Sequence, residues 1–282
     1  MAAARFLPTY YLSHGGGPWP YMEGAIRKRF SALERSLISI RGEWDDGVRA
    51  VLVISGHWET AEFAVSSAAQ PNMVFDYHGF AEHLYQIKYG APGSPELAMT
   101  VQALLQAGGF PCACDPERGF DHGTVSLLQP FYPDAVMPIV QLSVRHDLDP
   151  QTYFSLGRLL APLRRDGVVI LGSGSSFHNL GLRGPAAIAP SGRFDQWLQQ
   201  TLLHSSPDER RERVVNWTLA PDARIAHPRE DHLIPLMVAL GAAEEEPAAL
   251  VYHQPDFLGS WALSSFRFGE TVAATSLNGQ AA

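Results

Sequence analysis

Cysteine is nearly missing from this chain. It has two thiols in 282 residues, Cys112 and Cys114. That spacing is too close for an easy disulfide, and two thiols are too few for a metal cage. The pair reads as small apolar strand residues in a reducing compartment. Basic charge is also in short supply: 21 Lys and Arg against 29 Asp and Glu leave a net charge of −8 with His neutral. A nucleic-acid binder needs a basic face. The short clusters Arg27-Lys28-Arg29 and Arg210, Arg211 and Arg213 read instead as solvated helix faces. No segment approaches the roughly 20 apolar residues that span a bilayer, and residues 1–8 lack the apolar core of a signal peptide. The expectation is a cytoplasmic protein with neither nucleic acid nor membrane as partner. No Pro/Ser/Gly-rich linker, low-complexity tract or internal repeat divides the sequence, so residues 1–282 are expected to form one domain. At 46% hydrophobic and 18% charged, the composition is that of a globular enzyme.

What the chain does have is a recurring ending. Val51-Leu52-Val53-Ile54-Ser55-Gly56 leads to His57, and Tyr10-Tyr11-Leu12-Ser13 to His14 and then Gly15-Gly16-Gly17. Val168-Val169-Ile170-Leu171-Gly172-Ser173-Gly174 runs on to His178, and Pro138–Val144 ends at Arg145-His146. Apolar runs of this length bounded by glycine read as strands buried on both faces. In α/β sheets, ligands bind at the carboxyl ends of such strands. The pattern predicts a central mixed sheet with helices on both faces, gathering histidines at one edge.

In chain order, strands are expected at 6–13, 48–55, 63–67, 110–114, 137–144, 168–173, 249–252 and 261–268. Helices are expected at 22–40, from Ser94-Pro95 to Gly108-Gly109, at 150–165 with Asp147 or Asp149 near its start, at 193–204, at 208–217 and at 231–241. Gly119–Thr124 and Asp76–Phe80 read as loops. His83, His204 and His253 fall in ordinary helix or strand and read as structural; His78 and His146 follow strands in loops. His14, His57, His122, His178 and His232 each end a strand or open a helix, where polar groups converge.

Three converging imidazoles with no cysteine suit a borderline divalent metal such as Zn(II) or Fe(II). They leave positions open, and a further free histidine could exchange protons there. A second chemistry is hydrolysis, because His14-Gly15-Gly16-Gly17 resembles an oxyanion-hole segment. Ser175 with Asp195 and His232 would respect a hydrolase chain order. Yet Gly172-Ser173-Gly174-Ser175-Ser176 lacks the Gly-x-Ser-x-Gly spacing. Phosphate cradling by Gly15–Gly17 lacks the Gly-Lys-Ser/Thr ending.

Six motifs in order carry a more specific resemblance: Ser13-His14-Gly15-Gly16-Gly17-Pro18, Ile54-Ser55-Gly56-His57-Trp58, Phe120-Asp121-His122-Gly123-Thr124, Pro138–Ser143, Gly172–Leu180 and His227–Leu236. Together, over about residues 10–268, the chain resembles the class III extradiol ring-cleavage dioxygenases of the LigB type. Within them it is similar to the branch of DOPA 4,5-dioxygenase. The resemblance implies a single α/β domain that uses Fe(II) and O2 to open a catechol-type ring beside its diol. It implies His14, His57 and His232 as metal ligands, with Zn(II) able to take the same site. Glu230 and Asp231 stand beside His232 as alternatives, since other class III enzymes have a glutamate as third ligand. It implies His178 as acid/base and His122 as a second substrate-facing histidine. Asp121 and His227 are expected as partners of the ligating rings. The first loop departs from relatives that have Gly-Ser-Pro-Met, so Trp19 is expected to narrow the pocket. Trp58, Tyr77 and Phe177 are candidates for stacking on a ring, with core packing as the plainer reading.

Overall fold

Residues 51–54 and 168–171 are apolar at every position, and alternation is absent because both faces of their sheet are covered. In the computed structural model, which describes residues 6–44 and 47–271, both runs lie in the middle of an eight-stranded mixed sheet. Its strands are β1 (Thr9–Ser13), β2 (Ala50–Thr60), β3 (Phe63–Ser66), β4 (Cys112–Asp115), β5 (Ile139–Arg145), β6 (Val168–Gly174), β7 (Ala248–Phe257) and β8 (Trp261–Phe268). They stand in the order β4-β3-β5-β2-β6-β1-β8-β7. β5, β2, β6 and β1 run parallel, so their carboxyl ends share one edge. β8 pairs antiparallel with β1 and forms a hairpin with β7. Residues 1–5 and 272–282, within the expected domain, lie outside the described residues; so does most of the segment read for a signal peptide.

The helices are α1 (Gly24–Lys28), α2 (Ser31–Arg41), α3 (Pro95–Ala107), α4 (His122–Phe131), α5 (Pro150–Leu160), α6 (Pro185–His204), α7 (Pro207–Val215), α8 (Ala223–Ala226) and α9 (Ile234–Gly241). Several start where side-chain chemistry dictates. Ser94, Asp121 and Asp149 each accept a hydrogen bond from the backbone N–H three residues on, capping α3, α4 and α5. Successive residues of β6 show that helices cover both faces. Gly172 and Gly174 face the segment that leads into α9, while Ser173 between them donates to the Gly123 carbonyl in the first turn of α4.

Some expected boundaries are corrected. The helix expected over 22–40 is broken at Arg29-Phe30, because Phe30 turns inward to stack on Trp19 at 5.3 Å. The helix expected from Asp231 begins at Ile234, and residues 231–233 form a turn. α6 starts earlier than expected, at Pro185. The supposed loop at Gly119–Thr124 already contains the start of α4, so His122 stands in its first turn. β2 does not stop at Ser55. It runs to Thr60 through a register shift between Ile54 and Glu59 against β5. Such an irregularity re-aims the side chains within it, and His57 lies inside it.

The turn that carries His232 lies directly on β6. A Cβ on Gly172 would stand 2.3 Å from the Pro235 carbonyl oxygen, and one on Gly174 2.0 Å from that of His232. Only a bare backbone permits this approach. Gly174→Ala is expected to destabilise the protein by about 1–3 kcal/mol, the usual cost of overpacking. Urea unfolding measures it, and an unchanged midpoint would show that the turn can lift without cost.

Candidate active site

The parallel strands deliver their histidines to one edge. His14 follows β1, where its N–H donates to the Gly174 carbonyl at 3.0 Å. The bulge of β2 carries His57. His232 is brought over the sheet by the turn before α9, and Arg229 of the same segment clamps Glu59 of β2 with two bonds of 2.6 Å. His57 Nε2 stands 3.1 Å from His14 Nε2 and 3.0 Å from His232 Nε2. The three form a group able to hold a metal ion.

Partners on the far side of each ring decide what those nitrogens carry. Ser173 gives its single hydroxyl proton to the Gly123 carbonyl, so it accepts at 3.0 Å from His14 Nδ1–H. His57 Nδ1 lies 3.2 Å from Asp76 Oδ2, and His232 Nδ1 lies 3.2 Å from Asp231 Oδ2. The charge of each carboxylate favours a proton on the Nδ1 beside it, although His232 Nδ1 itself has no hydrogen-bond partner among the described residues. All three Nε2 atoms therefore present bare lone pairs to one another. Burial lowers the proton affinity of each ring, and the neighbouring imidazoles add to the effect: His57 falls to about 4, His14 and His232 well below the ordinary value. Three neutral nitrogens, close together with no proton between them, repel unless a cation sits among them. At 2.0–2.1 Å from each donor, a metal with a right angle between two of them sets them about 3 Å apart. The donor set fits a divalent metal.

Two more imidazoles flank this centre. His178 stacks on His232 with ring centres 3.4 Å apart and planes 11° from parallel. Its backbone N–H donates to the Ala226 carbonyl, and burial lowers its proton affinity. His122 lies with its ring centre 4.0 Å from that of His57. Its Nδ1 donates to Asp76 Oδ2 at 2.9 Å and its backbone N–H to Asp76 Oδ1 at 3.0 Å. One carboxylate oxygen thus serves both His57 and His122, leaving the Nε2 atoms of both rings free. Burial alone would raise the Asp76 carboxyl, yet the hydrogen bonds it accepts from His122, with His57 close by, hold it below the ordinary carboxylate range. All five histidines line one cavity of about 670 Å³ with Gly15, Gly16 and Gly17 at one side.

Asp76 was not among the residues expected here. The expected partners sit elsewhere. Asp121 caps α4 and takes bonds from Ser55, Arg118 and Gln141; among the described residues none comes from a histidine ring. His227 is fully buried, and its Nε2 donates to the Ser176 carbonyl at 3.1 Å. It thereby holds the backbone beside His178, and burial lowers its proton affinity to about 3. Glu230 pairs with Arg224 and belongs to none of the side-chain groups able to hold a metal ion among the described residues. Asp231 lies behind His232 and grips its backbone N–H at 3.0 Å.

The hydrolase reading fails on geometry. Ser175 donates to the Phe177 carbonyl, and Asp195 is occupied by Ser264 and Gln199, so no Ser–His–Asp relay assembles. Trp19 does not narrow the cavity: it is fully buried, and its Nε1–H donates to the His14 carbonyl at 2.8 Å. Trp58 packs under Arg118 and Phe177 against Trp261, while Tyr77 does line the cavity.

Residues 8–261 match the family described as the catalytic LigB subunit of aromatic ring-opening dioxygenase. The chain belongs to the LigB family. Among its relatives in that family, a "4,5-DOPA dioxygenase extradiol" of Beta vulgaris is 38% identical over 93% of this chain and 97% of that protein. One of Escherichia coli (strain K12) is 33% identical over 95% of this chain and 97% of that protein. A crystal structure of an uncharacterized protein from Escherichia coli K12 superposes with a TM-score of 0.74 at 28% identity. The superposition covers 94% of this chain and 100% of that one. This LigB-family chain is an extradiol ring-opening dioxygenase, and dependence on a metal is consistent with that family. Replacing Asp76 with asparagine is expected to lower metal affinity by about 10–100-fold, the usual effect of removing the partner of a ligating imidazole. Competition against a chelator measures this; unchanged affinity would mean that Asp76 does not orient His57.

Proposed function

We propose that this chain opens a catechol ring beside its two hydroxyls, on Fe(II) held by the Nε2 atoms of His14, His57 and His232. The observation that carries the proposal is the meeting of those three bare nitrogens on the floor of a cavity that two further imidazoles also face. When bound, Fe(II) supplies a common site for the diol and dioxygen and relays electrons between them. The protein supplies proton handling. His178 is kept neutral by burial, so it can take a phenolic proton as the substrate binds. His122 presents its bare Nε2 to the ring, because Asp76 holds the proton on Nδ1. The imidazolium that forms on either residue returns the proton as the O–O bond breaks, and both oxygen atoms end in the product.

DOPA is a candidate substrate because relatives of this chain are named for it. The same three nitrogens suit Zn(II), which is redox-inert and would fill the site without ring opening. Both thiols are free, in keeping with a cytoplasmic protein, and among the described residues no helix is long and apolar enough to cross a membrane.

The test is oxygen uptake by anaerobically purified, Fe(II)-loaded protein with DOPA, protocatechuate and plain catechol, followed with visible absorbance. Uptake with a new yellow chromophore is expected. An iron-loaded protein that consumes no oxygen with any catechol would overturn the proposal.

A further inference from the structure

The mouth of the cavity differs in charge from its floor. Two guanidiniums line it, those of Arg29 and Arg183. Arg29 lies at the break between α1 and α2, where its Nη2 donates to the Leu258 carbonyl at 2.6 Å. Arg183 lies in the turn after His178, where its Nε donates to the Leu180 carbonyl at 3.0 Å. Each is tied to the backbone by one bond, and neither meets a carboxylate among the described residues. Arg224 and Arg229, on the segment that carries His232, are by contrast each neutralised by a glutamate. The turn that carries Arg183 is itself pinned, since the Asn179 side chain donates to the Ile225 carbonyl at 2.7 Å and accepts from the Gly181 N–H. Two acids line the cavity, Asp76 and Asp231, and both sit against histidines on the floor.

We infer that Arg29 and Arg183 form an anion subsite, and that the preferred substrate is a catechol carrying a carboxylate on a short tether and no ammonium group. This rests on the ring-opening reading above. With the diol on the floor, the substituent of the ring points to the mouth. Arg183 keeps its two terminal nitrogens for a carboxylate, and Arg29 keeps Nη1 and Nε. A zwitterion such as DOPA would bring an ammonium group into the same field with no acid there to receive it. The subsite thus separates this chain's substrate from an amino acid by charge rather than by size.

The test compares kcat/KM of the Fe(II)-loaded enzyme for dihydrocaffeate, its methyl ester, 4-methylcatechol, DOPA and dopamine. Anaerobic calorimetry of the same ligands gives a binding readout that needs no turnover. The acid is expected to exceed its ester by about tenfold, a charge-assisted contact discounted for the exposure of both arginines. Dopamine is expected to be poorest. In Arg29→Gln and Arg183→Gln the ratio of acid to ester falls toward unity through KM, and added salt lowers it in the parent protein. Turnover of 4-methylcatechol with no preference for the acid would overturn the subsite alone. A preference that survives in the double variant would overturn the assignment to these arginines. Failure to open any catechol would overturn the ring-opening reading, and the subsite with it.

Discussion

His57→Ala is expected to lose the metal and all ring opening. Its Nε2 stands between those of His14 and His232, at 3.1 and 3.0 Å, so its removal leaves two donors instead of three. Loss of a mere hydrogen-bond partner of a ligand costs about 10–100-fold in affinity, and loss of the ligand itself is expected to exceed that. Asp76 cannot make up the deficit, because it remains engaged by His122 at 2.9 Å. The measurement is metal per chain by mass spectrometry after dialysis, beside oxygen uptake. A His57→Ala protein that keeps one tightly bound ion would show that the centre lies elsewhere, for example among Asp231, His178 and His232, which also lie within reach of one another.

His178→Ala is expected to do the opposite: to keep the metal and lose turnover by about 10²–10⁴-fold, the usual share of a positioned acid or base. The ring stacks on His232 rather than joining the three converging nitrogens, so its loss removes a face from that ligand but no donor. The loss should appear in kcat more than in KM, since substrate still has its floor and walls. A metal-loaded variant that opens catechols at the parent rate would remove His178 from the chemistry. Metal loss in parallel with activity would instead make it a support for His232.

Much of this was legible in the sequence because it depends on local signals. An apolar run that ends in glycine and histidine announces both a buried strand and where its side chain emerges, and the family follows from six such motifs in order. Asp76 carries no such signal. It lies in a long connection with little regular structure between β3 and α3, and only the folded chain sets its carboxylate beside rings from β2 and α4. Asp121 was expected in that role because a ligating histidine needs a partner on its other ring nitrogen. Its acid is used up in capping the helix that presents that histidine. The same competition misled over Trp19, whose N–H is spent on the His14 carbonyl and whose ring is spent on Phe30. Sequence position suggests proximity, but hydrogen-bond demand decides where a polar group ends.

The sheet order has a consequence for biosynthesis. β1 lies between β6 and β8, so the first strand to leave the ribosome waits for the sixth and the eighth. Its partners on both edges are made late, as is His232, which the proposed metal site shares with His14. Pairings so distant in sequence form slowly, and an unpaired strand exposed meanwhile invites aggregation. The nascent chain thus passes most of its synthesis with neither the complete sheet nor all the histidines of the proposed metal site. A chain interrupted before β8 leaves one edge of β1 unpaired, which is a template for wrong pairing.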